Sequence, residues 1–290
     1  MRERLSHSND KHGEKEMFKH SIRDGILVVL CALHIAFWVV PVIYYNQLSI
    51  ISLLFFAVVN IALMCTNYQC VAHNFIHNPF FKSTLLNNVF SITNSIALGM
   101  PQSFYKVHHI NHHTYNNDDW RNGVPPGDKS SLFYYGKNGG QEGMLRYTVL
   151  SYFRLSLIQL FKDSYQRTGR LVLFEVFAVL VFMAVLGCIN LWAFLVFVIP
   201  VHYLGTSMAS LENYAEHHEC EPDNALSNSV SCYSSWYNFL WFNNGYHQEH
   251  HCKPGLHWTR LPKARERMLS SQQRKVVKGC HLMGLFTVRK

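Results

Sequence analysis

GILVVLCALHIAFWVVPVIYYNQLSIISLLFFAVVNIALMCTNYQCVAHNFIHNPFF, residues 25–81, contains no Asp, Glu, Lys or Arg. A bilayer hydrocarbon core about 30 Å thick takes roughly 20 apolar residues per helix. The stretch is therefore long enough for two crossings joined by a short turn. Pro41 and Asn46 mark the break and give spans at 24–45 and 48–69. A second stretch, residues 171–211, carries Glu175 as its only charge. It divides at 187–190 into spans at 171–187 and 190–210. The expected fold is all-α, an integral membrane protein with four transmembrane helices in two hairpins.

Charge fixes the orientation. The chain is 49% hydrophobic and 15% charged, against about 25% charged in an average globular domain. Its 26 Lys and Arg residues fall into three segments, 2–23, 82–170 and 253–290. Two hairpins put all three on one side and the two uncharged turns on the other, and the positive-inside rule makes the basic side the cytoplasm. Both termini are expected there, and the membrane is expected to be a bacterial inner membrane. The net charge of +8 then reflects topology; no motif for reading nucleic acid is present.

The chain divides into a cytoplasmic, poorly ordered N-terminal segment (1–23), a membrane domain (24–262) and a basic C-terminal tail (263–290). From Lys253 onward there are ten basic residues and one acidic, which suits contact with anionic headgroups. Met1 to His20 lacks the apolar run of a signal peptide, so the first span is expected to direct insertion. The eight cysteines form no C-x-x-C pair and read as unpaired thiols in a reducing compartment.

The histidines gather where the spans end. NNGYHQEHH (243–251) spaces His247, His250 and His251 as H-x-x-H-H, which on a helix puts all three rings on one face. YKVHHINHHTYNND (105–118) repeats the pattern with His109, His112 and His113, while His108 points off that face. AHNFIHN (72–78) places His73 and His77 one turn apart at the end of the second span. SLENYAEHHEC (210–220) does the same for Asn213 and His217 after the fourth, with His218 about 100° round the helix. All four boxes fall on the side already called cytoplasmic, where they form a helical cap.

Neutral imidazole is the commonest metal ligand, and nine such rings exceed what one metal can use. Two metals with four or five ligands each fit the count, whereas a structural zinc is filled by four. Asn213 suits a metal-bound water, and Glu212 and Glu216 can orient imidazoles from outside the ligand shell. Imidazole alone does not choose among iron, copper, zinc and nickel. The Glu-x-x-His pairs of soluble di-iron bundles, H-E-x-x-H, a phosphate loop and a nucleophile elbow are all missing from the boxes.

The intervening stretches are less specific. Residues 85–100 are apolar but interrupted by Asn87, Asn88 and Asn94, which suits a re-entrant or interfacial helix. Residues 114–146 are turn-rich and read as a lid, a partner surface or a plain connection. Residues 146–161 look amphipathic, and 228–244 are aromatic and interfacial.

Together these boxes resemble the integral-membrane fatty acid desaturase and hydroxylase superfamily. The match lies in H-x-x-x-H (His73, His77), H-x-x-H-H (His109, His112, His113), N-x-x-x-H (Asn213, His217) and H-x-x-H-H (His247, His250, His251). GYHQEHHCKPGLHWTRLP (245–262) is similar to the third box and downstream Leu-Pro of acyl-lipid desaturases. The resemblance implies two irons cycling between Fe2+ and Fe3+, O2 as co-substrate, and hydrogen removal from an unactivated C–H bond of a lipid or fatty acyl chain. A fatty acid (acyl-lipid) desaturase is the leading reading. NYAEHHE is also similar to an element of membrane alkane monooxygenases, and carotenoid ketolases share the spacing, so a hydroxylase or ketolase stays open. The chain shows no fused haem domain, cluster motif or flavin fingerprint, which implies an external ferredoxin-like or cytochrome b5-like electron donor on the basic face. A metal transporter would carry ligands near the midplane. His34 and His202 lie there and read as packing residues, unless they face each other across a polar path.

Overall fold

The computed structural model describes residues 17–286 except 223, 225, 269, 271 and 273; residues 1–16 of the N-terminal segment and 287–290 of the tail lie outside the described residues. In chain order the helices are α1 (Asp24–Ile43), α2 (Ile50–His77), α3 (Thr84–Leu98), α4 (Gln102–Tyr115), α5 (Met144–Leu150), α6 (Leu157–Thr168), α7 (Leu171–Ile189) and α8 (Leu191–His217). Four short helices follow, α9 (Ser235–Leu240), α10 (His247–Cys252), α11 (Leu261–Met268) and α12 (His281–Gly284). Among the described residues the only sheet is a parallel pair, β1 (Ser231–Cys232) with β2 (Val276–Val277). The chain is all-α in class, and α1, α2, α7 and α8 are long and apolar enough to cross a membrane.

The helix ends differ from the sequence expectation, and each difference has a local cause. Pro41 does not break α1, which runs on to Ile43. Proline lacks the N–H that would bond the carbonyl four residues back, which frees Phe37 O. Asn60 Nδ2 on α2 donates to that carbonyl at 2.8 Å, so the helix survives where no water could satisfy it. In the second pair Gly187 stays helical and the break narrows to Asn190. Its extended backbone ends α7, and its side chain caps α8 by accepting from Ala193 N at 3.0 Å.

The second and fourth helices run on past the apolar stretches to His77 and His217, as the i, i+4 spacing of their boxes predicts. α2 passes position 69 without a break, widening to π geometry over Asn67–Ala72 before His73. α8 has a similar π stretch at Phe194–Val198 and continues past 210 to His217. A π-bulge shifts the helical face. His73, His77 and His217 therefore ride on the long apolar helices themselves.

α8 packs tightly on α2. A Cβ at Gly205 would fall 2.7 Å from Met64 Cβ, so only glycine permits this approach. Overpacking of this kind costs about 1–3 kcal/mol. Gly205→Val should therefore lower the thermal unfolding temperature in detergent; an unchanged midpoint would mean that the two helices part freely. Around the contact lie Trp38, Met64, Leu98, Leu186, Phe197 and Val201, while Ile51, Leu54, Phe174, Phe177 and Leu180 face outward, as lipid contact requires.

The stretch 85–100 forms α3, capped by Ser83 and ended by Gly99 at φ 63°. It buries Phe90, Ala97 and Leu98 and exposes Leu85 and Val89. His34 and His202 are each tied locally: His34 Nδ1 lies 3.3 Å from Asn67 Nδ2, and His202 donates to Leu98 O at 2.9 Å. The Trp38 indole packs against both rings, so aromatic surface separates them. The segment 263–290 is anchored to the rest of the fold. In its described part β2 pairs with β1, and His281 is completely buried.

Candidate metal centre

The nine histidines come from four helices: His73 and His77 from α2, His109, His112 and His113 from α4, His217 from α8, and His247, His250 and His251 from α10. They form two adjoining groups. In the first, nitrogens of His73, His77, His109, His113 and His250 lie within 4.8 Å of one another. Their Nε2 atoms follow a chain of short contacts, His73 to His250 at 2.7 Å, His250 to His113 at 3.0 Å, His113 to His109 at 2.9 Å and His109 to His77 at 3.0 Å. The second group is His112, His217 and His251. His247 joins it through Nε2, 3.2 Å from His217 Nε2.

The backs of the rings are held by acceptors. His112 Nδ1 donates to Asp128 at 2.7 Å, His217 Nδ1 to the Asn228 carbonyl at 2.8 Å, His73 Nδ1 to the Gln69 carbonyl at 3.1 Å and His251 Nδ1 to Asn116 Oδ1 at 3.0 Å. A neutral imidazole whose Nδ1 donates presents a bare lone pair at Nε2. The inward nitrogen of His217 is in this state and stands 3.1 Å from His112 Nε2. Imidazole nitrogens crowded this closely, with His251 Nε2 buried and without a hydrogen-bond partner, suit a cation between them. The donor set fits metal ions, with outer partners of the kind that fix ligand orientation.

Electrostatics favour the same state. Burial first, and neighbouring imidazoles second, push His109, His113, His247, His250 and His251 well below the ordinary imidazole value. They are neutral at pH 7 and available as ligands. Burial alone would raise the Asp128 carboxyl, but His112 and hydrogen bonds from Ser130 more than reverse this and hold it well below the usual carboxylate range.

The auxiliary residues separate. Glu216 lies behind the second group, with Oε1 3.5 Å from His247 Nδ1. Asn213 donates to Tyr147 Oη at 2.8 Å and stands in a cavity wall. His108 lines the same cavity outside both groups. His218 turns away to Gln141 Oε1 at 3.0 Å. The cavity is about 560 Å3 and reaches His109, His112 and His247, with Met100, Phe104 and Leu160 among its apolar walls.

A model of the fatty acid desaturase family matches residues 48–279. The chain belongs to that family. The sphingolipid delta(4)-desaturase of Candida albicans (strain SC5314 / ATCC MYA-2876) is 25% identical over 211 residues, covering 67% of this chain and 56% of the relative. The sphingolipid delta(4)-desaturase of Schizosaccharomyces pombe (strain 972 / ATCC 24843) is 25% identical over 235 residues, covering 76% and 63%. The chain thus spans less than two thirds of the length of either relative. No solved structure matches it.

Within this desaturase-family chain, several residues that the boxes do not contain hold the centre. Asp128 comes from the turn-rich stretch after α4. Its position is set by amide hydrogen bonds from Asn117 and Ser130, both 2.8 Å, so the loop supports a ring as well as connecting helices. Asp-x-Ser at 128–130 is a local turn signal, but many loops carry one. Asn116 and Asn228 act through tertiary contacts to His251 and His217 that no spacing marks, and Gln69 through its backbone carbonyl one turn before His73. His281 lies in the tail, outside every box.

Proposed function

We propose that this chain is a lipid desaturase whose nine histidines hold two irons. The convergence of imidazole nitrogens in two adjoining groups carries the reading, supported by family membership and by a cavity that ends at the histidines. Bound iron supplies O2 activation and hydrogen removal from an unactivated C–H bond. The names of the relatives favour a sphingolipid as substrate. The apolar walls take the alkyl chain, exclude water and fix which carbon approaches the rings. Tyr147 and Asn213 offer polar groups beside the same rings. Two hydrogens leave the substrate, an external donor supplies two electrons and solvent two protons, and O2 ends as two waters. The donor is ferredoxin-like or cytochrome b5-like and docks on the basic segments. In this reading the spans form two hairpins, and the histidine cap and termini face the cytoplasm.

The test is purification in detergent after growth with iron, followed by metal counting and lipid product analysis. About two irons per chain and a product lighter by two hydrogens are expected. A product heavier by one oxygen would replace desaturation with hydroxylation. Tightly bound zinc, or no metal, would end the O2 chemistry.

A further inference from the structure

Most outward nitrogens of the second histidine group have an aligned acceptor. His247 is the exception: its Nδ1 makes no hydrogen bond, and Glu216 Oε1 stands 3.5 Å away. That oxygen has other partners. Asn244 Nδ2 donates to it at 2.9 Å, and His281 Nδ1 lies 3.2 Å from it. His281 Nδ1 also lies 3.3 Å from Glu212 Oε1 and 3.0 Å from Tyr237 Oη, and Tyr237 in turn donates to Glu212.

Glu212 and Glu216 are one helical turn apart on α8 and are 2% and 1% exposed. Two carboxylates so close and so dry repel each other and lose their hydration. A donor placed between them is what keeps the pair in one position. It comes from the far end of the described chain, delivered by β2 and α12. Ser231 N bonds Lys275 O at 2.8 Å, and Cys232 Sγ bonds Gly279 O at 3.2 Å, which hold that segment against the stretch leading to α10.

We infer that His281 is a positioning residue for the second metal subsite: it bridges Glu212 and Glu216, and so keeps Glu216 behind His247. A third metal is not needed here: Tyr237 donates to Glu212 and Asn244 to Glu216, and His281 Nδ1 lies within ion-pair distance of both carboxylates. The inference rests on the dinuclear reading given above. It adds a residue that lies beyond the four boxes and beyond residue 279, where the family match ends.

The experiment compares wild type, His281→Leu and the double variant Glu212→Gln/His281→Leu, each purified in detergent with iron. The readouts are iron per chain, the rate of iron loss to a chelator and the Mössbauer spectrum. Loss of an outer partner costs about 10–100-fold in metal affinity. His281→Leu should therefore release one of the two irons at least about 10-fold faster and alter the spectrum of that iron alone. The double variant, with one buried charge fewer, should recover part of the loss, which a purely structural role would not produce. If His281→Leu does not fold, His281→Gln decides: an altered spectrum for one iron supports the bridge, and an unaltered one overturns it. Wild-type spectra and release rates in a folded variant, or a third metal equivalent lost with His281, would also overturn it. Wild-type protein without iron would instead defeat the dinuclear reading, so the two failures are distinguishable.

Discussion

His250→Ala is expected to abolish desaturation and to strip iron from the first histidine group while leaving membrane insertion intact. His250 Nε2 touches both His73 Nε2 at 2.7 Å and His113 Nε2 at 3.0 Å, so it joins the α2 ligands to the α4 ligands. Its side chain is buried, and alanine leaves a hole that water can fill but no donor of equal strength. Losing an outer partner alone costs about 10–100-fold, and losing a ligand should exceed the upper figure. Iron counting and product analysis on the same preparation check this. Full turnover in the variant would sink the assignment of the site.

Asp128→Ala should cost about 10–100-fold in iron affinity or turnover although Asp128 touches no metal position. The carboxylate is fully buried and accepts from His112 Nδ1 at 2.7 Å. It also gathers the amides of Asn117 and Ser130. Alanine frees the His112 ring to turn and loosens the loop beside the cavity. Asp128→Asn, which keeps an acceptor but loses the charge, should fall between wild type and alanine. Titration of iron into metal-stripped protein gives the comparison, and equal affinity in all three would show that the loop does not support the ring.

The boxes were legible because helical spacing is written in sequence. H-x-x-H-H forces three rings onto one face, and four such segments beside apolar runs define a shared side. The i, i+4 spacing of the boxes also carries the second and fourth helices past the apolar runs to His77 and His217. The breaks within the hairpins were less legible. Pro41 marks a break in sequence because proline disrupts its own helix, and the compensating donor comes from Asn60 on another. Asp128, Asn228 and His281 were illegible for the same reason: each matters through tertiary contacts, and such contacts leave no periodicity.

The way the ligands are divided along the chain also sets an order of assembly in the cell. His73 emerges early in synthesis and His251 only after the last long helix has been made. In between, the two halves of the centre sit on segments that have not yet met. In the dinuclear reading, metal loading follows the arrival of α8 and α10 beside α2 and α4. Until then the early histidines form only part of either group.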